Sequence, residues 1–139
     1  MIVLDTNVVS EPLRPAADAA VLAWLDAQDI ETLYLTTVTL AELRHGVAAL
    51  PEGRRRKTLQ TALEVRIVPL FGPRILAFDA VAAGTYAQVR LRAATTGTAI
   101  GAADSYIAAT AAAHGFAIAT RDVAPFAAAG LTVINPWRA

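Results

Sequence analysis

Four acidic residues, Asp5, Glu42, Asp104 and Asp122, stand where their carboxylates can reach a common point. Each has an ordinary role open to it. Asp5 can cap a short helix, and Glu42 three residues after Thr39 can complete a capping box. Asp104 in the first turn of a helix gains roughly 0.3–1 kcal/mol from the helix dipole, and Asp122 suits a turn. Brought together, they make a different object. Two carboxylates about 5 Å apart repel by roughly 3 kcal/mol at an effective dielectric near 20. No lysine lies near any of the four in sequence, and Arg121 is the one adjacent arginine. Such a cluster requires a cation, and all-oxygen ligands suit Mg²⁺ or Mn²⁺ over zinc or copper. The matching chemistry is phosphodiester hydrolysis by a metal-activated water, with a second metal, if present, roughly 3.5–4 Å away. No nucleophilic side chain is needed. The chain has no recognisable Ser-His-Asp pattern and no Walker-type glycine loop. His45 and His114 fall on different predicted helices and read as polar or capping residues.

The elements that must carry these acids can be read from periodicity and punctuation. Met1-Ile2-Val3-Leu4 is a continuous apolar run ending at Asp5, the pattern of a strand buried on both faces of a parallel sheet. Ligands of such sheets bind beyond the carboxyl ends of the strands. Thr6 is expected to cap a short helix that Pro12 and Pro15 interrupt, and Pro15 to open a second helix over about Ala16 to Gln28. Leu33 to Leu35 reads as a strand. Thr36 or Thr37 opens a third helix with Leu40, Leu43, Val47 and Leu50 as its core stripe. In that helix Glu42 shares a mostly inward stripe with Val38, His45 and Ala49. A fourth helix is expected from about Glu52 to Arg66, and a strand from Ile75 to Phe78. A helix capped by Asp79 follows, with Ala82, Tyr86 and Val89 buried and Gly97 near its end. Ala102 to His114 is nearly all alanine on every side and is expected to be the central buried helix. Phe116 to Thr120 reads as a strand, Pro125 to Ala129 as a short helix and Leu131 to Ile134 as the last strand. Alternation of strands and helices predicts an α/β fold, with a mostly parallel central sheet of about five strands flanked by helices.

Composition narrows the class. At 139 residues the chain is most simply one domain spanning 1–139. Its formal net charge is zero, so no excess of basic charge announces a nucleic-acid partner. Cysteine is absent, which removes disulfides and thiolate metal sites and fits a cytoplasmic protein. No secretory signal is expected, because Asp5 interrupts the apolar start. The apolar stretch from Thr98 to Thr120 contains Asp104, His114 and glycines, so it reads as a core helix and a strand rather than a membrane span.

At these residues the chain resembles the PIN-domain family, and within it the VapC toxins of bacterial toxin–antitoxin pairs, closest to the FitB branch. Ile2-Val3-Leu4-Asp5-Thr6-Asn7 resembles the family's first acidic motif, and its continuation through Glu11-Pro12 resembles the longer FitB-type start. Ala41-Glu42-Leu43-Arg44 with Gly46 resembles the second motif, and Ala103-Asp104-Ser105-Tyr106-Ile107-Ala108-Ala109 the third. Thr120-Arg121-Asp122 with Phe126 resembles the fourth, and Asn135-Pro136-Trp137 the FitB-type terminus. Any one motif is unspecific; four in order at compatible spacing are not, and no acid is missing.

The resemblance implies a Mg²⁺- or Mn²⁺-dependent endoribonuclease with Asp5, Glu42, Asp104 and Asp122 around the metal. Asp5 and Asp104 would be direct ligands, while Glu42 and Asp122 would bind through water or orient the nucleophile. Asn7, Thr120 and Ser105 would be polar supports. The resemblance also implies a homodimer and a cognate antitoxin. That antitoxin would lay a helix near the second to fourth helices, push a basic side chain into the acids, and carry the pair onto promoter DNA. No membrane partner is implied. The alternative is an antitoxin-binding component of a DNA-binding autorepressor with little nuclease activity of its own. Basic residues that could contact RNA phosphates are Arg54 to Lys57, Arg44, Arg90 and Arg92, or these simply form solvated helix faces. Trp24 and Trp137 read as core or interface residues.

Overall fold

A computed structural model describes all 139 residues. Five short strands form one sheet: β1 (Ile2–Leu4), β2 (Leu33–Thr36), β3 (Ile75–Leu76), β4 (Ala117–Ala119) and β5 (Val133–Ile134). Their order is β3-β2-β1-β4-β5, and every pairing is parallel. β1 therefore lies in the centre, with the strand that follows it on one side and a strand from the far end of the chain on the other. All five strands run the same way, so their carboxyl ends share one edge.

Side chains alternate across the sheet, as the pleat requires. Val3 and Ile118 face a core formed with Val89, Ala93, Ile107, Ala108 and Phe126. Leu4 and Ala119 face the other core, with Val8, Leu35, Leu43, Leu63 and Phe71. The helices that supply these layers are α1 (Thr6–Ser10), α2 (Ala19–Asp26), α3 (Thr37–Ala48), α6 (Ala80–Thr95), α7 (Ala102–Ala113) and α8 (Val123–Ala128). Between α3 and β3, α4 (Arg54–Thr61) runs through a π-helical segment, Ala62–Ile67, into α5 (Val68–Phe71). α7 packs along α6. Its alanines allow that close approach, and Ile107 to Ala111 are buried. Gly115 follows α7 at φ +70°, a left-handed conformation that lets the chain reverse into β4. No helix is long and apolar enough to cross a membrane.

Several boundaries differ from the sequence expectation for identifiable reasons. The second helix starts at Ala19, because the Asp18 carboxylate accepts from the Ala20 and Val21 amides and overrides Pro15 as the start signal. Thr6 is the first residue of α1, and its cap is Asp5. The fourth helical stretch continues past Arg66 and across Pro69 to Phe71. The π segment explains this: the Val68 amide donates to the Leu63 carbonyl five residues back, and the widened turn accommodates a proline that has no amide to donate. β3 has two residues rather than four.

Candidate functional site

Asp5, Glu42, Asp104 and Asp122 come together in one pocket of about 350 Å³ at the carboxyl edge of the sheet, completed by Thr6, Asn7 and Ser10. Each arrives from a different place. Asp5 is the residue after β1 and Asp122 lies just past β4. Glu42 projects from α3, which springs directly from β2, and Asp104 from the first turn of α7.

Asp5 is the most constrained of the four. It is 4% exposed, and its Oδ1 accepts from the Thr6 amide at 2.8 Å. Its Oδ2 accepts from the Thr120 hydroxyl at 2.8 Å and from Asn7 Nδ2 at 3.4 Å. Thr120 Oγ1 in turn accepts from Asn7 Nδ2 at 3.3 Å and from the Asp122 amide at 3.0 Å. The Asn7 carbonyl oxygen Oδ1 accepts from the Arg121 amide at 3.3 Å. This network ties α1 to the turn after β4. On the opposite wall, the Thr6 hydroxyl donates to Glu42 Oε1 at 2.6 Å.

The electrostatics match the geometry. Burial pushes the Asp5 carboxyl above its ordinary range; hydrogen bonds from Thr120 and Thr6 oppose that, and the charges of Glu42 and Asp122 add to it. Asp104 rises from 3.8 to about 6, first through burial and then through repulsion by Asp5, Asp122 and Glu42. The charges of Glu42 and Asp122 thus act on both Asp5 and Asp104, and no basic side chain lines the pocket. The arrangement is open rather than caged: no three acidic or histidine side chains are placed to hold an ion by themselves. An all-oxygen, incomplete donor set suits a hard cation that keeps several of its waters, as Mg²⁺ does.

The inward placement expected for Glu42 does not hold, whereas the histidines and tryptophans lie where the sequence put them. Glu42, His45 and Ala49 are exposed, so beyond the half-buried Val38 this stripe of α3 turns to solvent, with Glu42 at the acid pocket. Ser105 is buried and donates to the Gly101 carbonyl, away from the acids. Arg44 is held by Glu64 through two contacts of 2.8 and 3.0 Å. His45 and His114 lie outside the pocket. Trp24 and Trp137 pack against the core that contains Leu4 and Leu35, and Arg121 lies over the Trp137 ring at 5.2 Å. The central place of Thr120 goes beyond its expected role as one support among three; its position at the end of a strand, two residues before an acid, was the available signal.

A parallel sheet with four acids converging at its carboxyl edge is the arrangement of a PIN domain, and the chain belongs to the PIN-domain family, whose model matches residues 2–130. It is 58% identical over 137 residues to the VapC ribonuclease Y4jK of Sinorhizobium fredii, covering 99% of this chain and 98% of that one. It is 53% identical over 137 residues to the toxin FitB of Neisseria gonorrhoeae, covering 99% of each. A solved structure of FitAB bound to an IR36 DNA fragment contains a chain 52% identical, with a TM-score of 0.95 over 99% of this chain and 96% of that one.

Proposed function

We propose that this chain is a metal-dependent endoribonuclease serving as the toxin of a toxin–antitoxin pair. The observation that carries the reading is the pocket walled by four carboxylates without a basic side chain. The substrate class follows from similarity to a VapC ribonuclease, and the toxin role from similarity to FitB.

Asp5 and Asp104 would hold a Mg²⁺ or Mn²⁺ ion directly, with Glu42 and Asp122 acting through its waters. The ion would supply an acidified water and neutralise charge on the phosphate. Asp5 offers a carboxylate whose orientation is set by Thr6, Thr120 and Asn7, so little ordering remains to be done on binding. Glu42, held by Thr6 at the exposed rim, is placed to accept a proton from the attacking water. Asp122 orients from the opposite side, where Thr120 anchors its backbone. Burial and the neighbouring carboxylates raise Asp104, so a bound cation would favour its charged form.

The chain works in the cytoplasm as a homodimer and is held by a cognate antitoxin. In this reading promoter DNA is contacted only through that antitoxin; that such a pair binds DNA is supported by similarity to FitAB, solved with a DNA fragment. The same similarity favours a second reading, in which the chain mainly holds the antitoxin in an autorepressor and turns over little RNA.

The deciding experiment is cleavage of a mixed RNA pool by antitoxin-free protein with Mg²⁺, with Mn²⁺ and with chelator. Metal-dependent cutting that Asp5→Asn abolishes supports the nuclease. Folded wild-type protein that binds metal and cuts nothing supports the repressor reading.

A further inference from the structure

Arg121 stands between Thr120 and Asp122, on the turn after β4 that presents Asp122 to the acid pocket. It is exposed and does not itself line the pocket. It is fixed at both ends. Its amide donates to Asn7 Oδ1 at 3.3 Å, within the network that holds Asp5. Its guanidinium lies over the Trp137 ring, 5.2 Å from the centroid. That ring is anchored in turn. The Trp137 amide donates to Asn135 Oδ1 at 3.0 Å, Pro136 before it is buried, and the indole packs against the core containing Leu4 and Leu35. A guanidinium stacked on an aromatic face keeps its in-plane N–H donors free. No carboxylate claims them: the two ion pairs in the chain are Arg14–Glu11 and Arg44–Glu64. Other arginines are committed elsewhere. Arg74 donates to the Leu33 and Leu70 carbonyls, and Arg90 to the Tyr86 hydroxyl.

Resting on the ribonuclease reading of the acid pocket, we propose that Arg121 holds an RNA phosphate next to the cleaved one, with Trp137 as the support that aims it. A polyanion entering a site of four carboxylates needs a cationic contact close by, and the net charge of zero means that contact must be local. Arg121 is the one arginine adjacent in sequence to any of the four acids. Its backbone and that of Asp122 both bond to the network around Asp5, so cation and acid are held to one frame. Because the guanidinium is already stacked in place, less side-chain freedom is lost when a phosphate binds. Arg121 acts on the strand beside the reaction and Trp137 acts through Arg121, as a positioning residue.

The test is equilibrium binding of a short 2′-O-methyl oligoribonucleotide with Mg²⁺, followed by fluorescence anisotropy against salt, with a gel to check that the probe stays intact. Wild type is compared with Arg121→Gln, Arg121→Lys and Trp137→Leu. Arg121 is exposed and has no partner to strand, so its variants report even if Trp137→Leu folds poorly. Losing one phosphate contact should flatten the log–log salt slope by about 0.7, which is about fivefold in affinity at about 0.1 M salt. Arg121→Gln should show both effects. Arg121→Lys and Trp137→Leu keep the charge, so each should keep the slope and lose about twofold in affinity. Unchanged affinity and slope in Arg121→Gln overturn the proposal, as does no binding by wild type. Equal losses in Arg121→Gln and Arg121→Lys with the slope unchanged also overturn it, because they would make the arginine a cover for the Trp137 ring. Cleavage of unmodified RNA, assayed in parallel, tests the nuclease reading separately. If wild type cuts, Arg121→Gln should raise KM about fivefold with kcat within about twofold, and an unchanged KM overturns the role of Arg121 alone.

Discussion

The hydroxyl of Thr120 lies 2.8 Å from Oδ2 of Asp5 and joins residues 115 positions apart in sequence. It gives its one hydrogen to Asp5 and accepts from Asn7 and from the Asp122 amide, so its full capacity is used. Thr120→Val keeps the shape and removes all three bonds. It is expected to weaken Mn²⁺ binding and RNA cleavage by about 10–100-fold and to cost about 1–3 kcal/mol of stability. Thr120→Ser should restore most of both. Calorimetric Mn²⁺ titration and a thermal melt check this.

Removing the Asp5 charge separates folding from chemistry. Asp5→Asn retains an oxygen for the Thr6 amide and relieves repulsion within the pocket. Its amide nitrogen, however, replaces the oxygen that accepts from Thr120 and Asn7, so the variant is expected to fold and to stay within about 1–3 kcal/mol of wild-type stability in chelator. If Asp5 holds the metal as proposed, the variant should lose cleavage by more than about a hundredfold, more than loss of a supporting residue would cost. A parallel melt and cleavage assay decides; full cleavage by the variant would remove Asp5 from the chemistry.

The raised carboxyl of Asp104 predicts a pH dependence of definite sign. Its folded value is about 6, against an ordinary 3.8. The folded state therefore binds more protons between those values, so this contribution to stability is full below about 3.8 and lost as pH rises through about 6. Without metal, Asp104→Asn should match wild type near pH 4 and exceed it above pH 7. The group is only half-buried, and with solvent screening the difference is on the order of 1 kcal/mol, or about 3 °C in Tm. Metal binding must displace the same proton, so wild-type Mn²⁺ affinity should fall as pH drops below about 6. Melts in chelator and titrations across this range give both curves.

Thr6 tests the opposite wall. Its hydroxyl is the one side chain that holds Glu42, at 2.6 Å, in an exposed position. Thr6→Val should lower kcat about tenfold, leaving stability within about 0.5 kcal/mol of wild type and Mn²⁺ affinity little changed. A comparable loss of metal affinity would make Glu42 a direct ligand.

Much of this was legible in the sequence because the signals were local. An apolar run into Asp5, a helix opening at Thr36 and an alanine-rich helix before Gly115 each fix an element and place an acid near one sheet edge. The exposure of Glu42 was not legible: Val38, Leu40 and Leu43 leave the inward arc of α3 ambiguous, and only the docking of α1 shows which side is covered. The bond from Thr120 to Asp5 depends on the pairing of β1 with β4, a register that no local pattern encodes. The π segment before Pro69 reflects an accommodation between backbone and proline that helical periodicity does not reveal.

The central position of β1 has a consequence for synthesis. Asp5 leaves the ribosome before either of the strands beside β1, and β4 is made long after β2. Until Ala117 to Thr120 have been made, Asp5 lacks the hydroxyl that orients it, and the turn bearing Asp122 does not exist. A nascent chain or one truncated before Ala117 therefore carries three of the four acids without an assembled pocket. On the nuclease reading proposed above, the order of translation leaves the growing polypeptide inert until the strand bearing Thr120 is made.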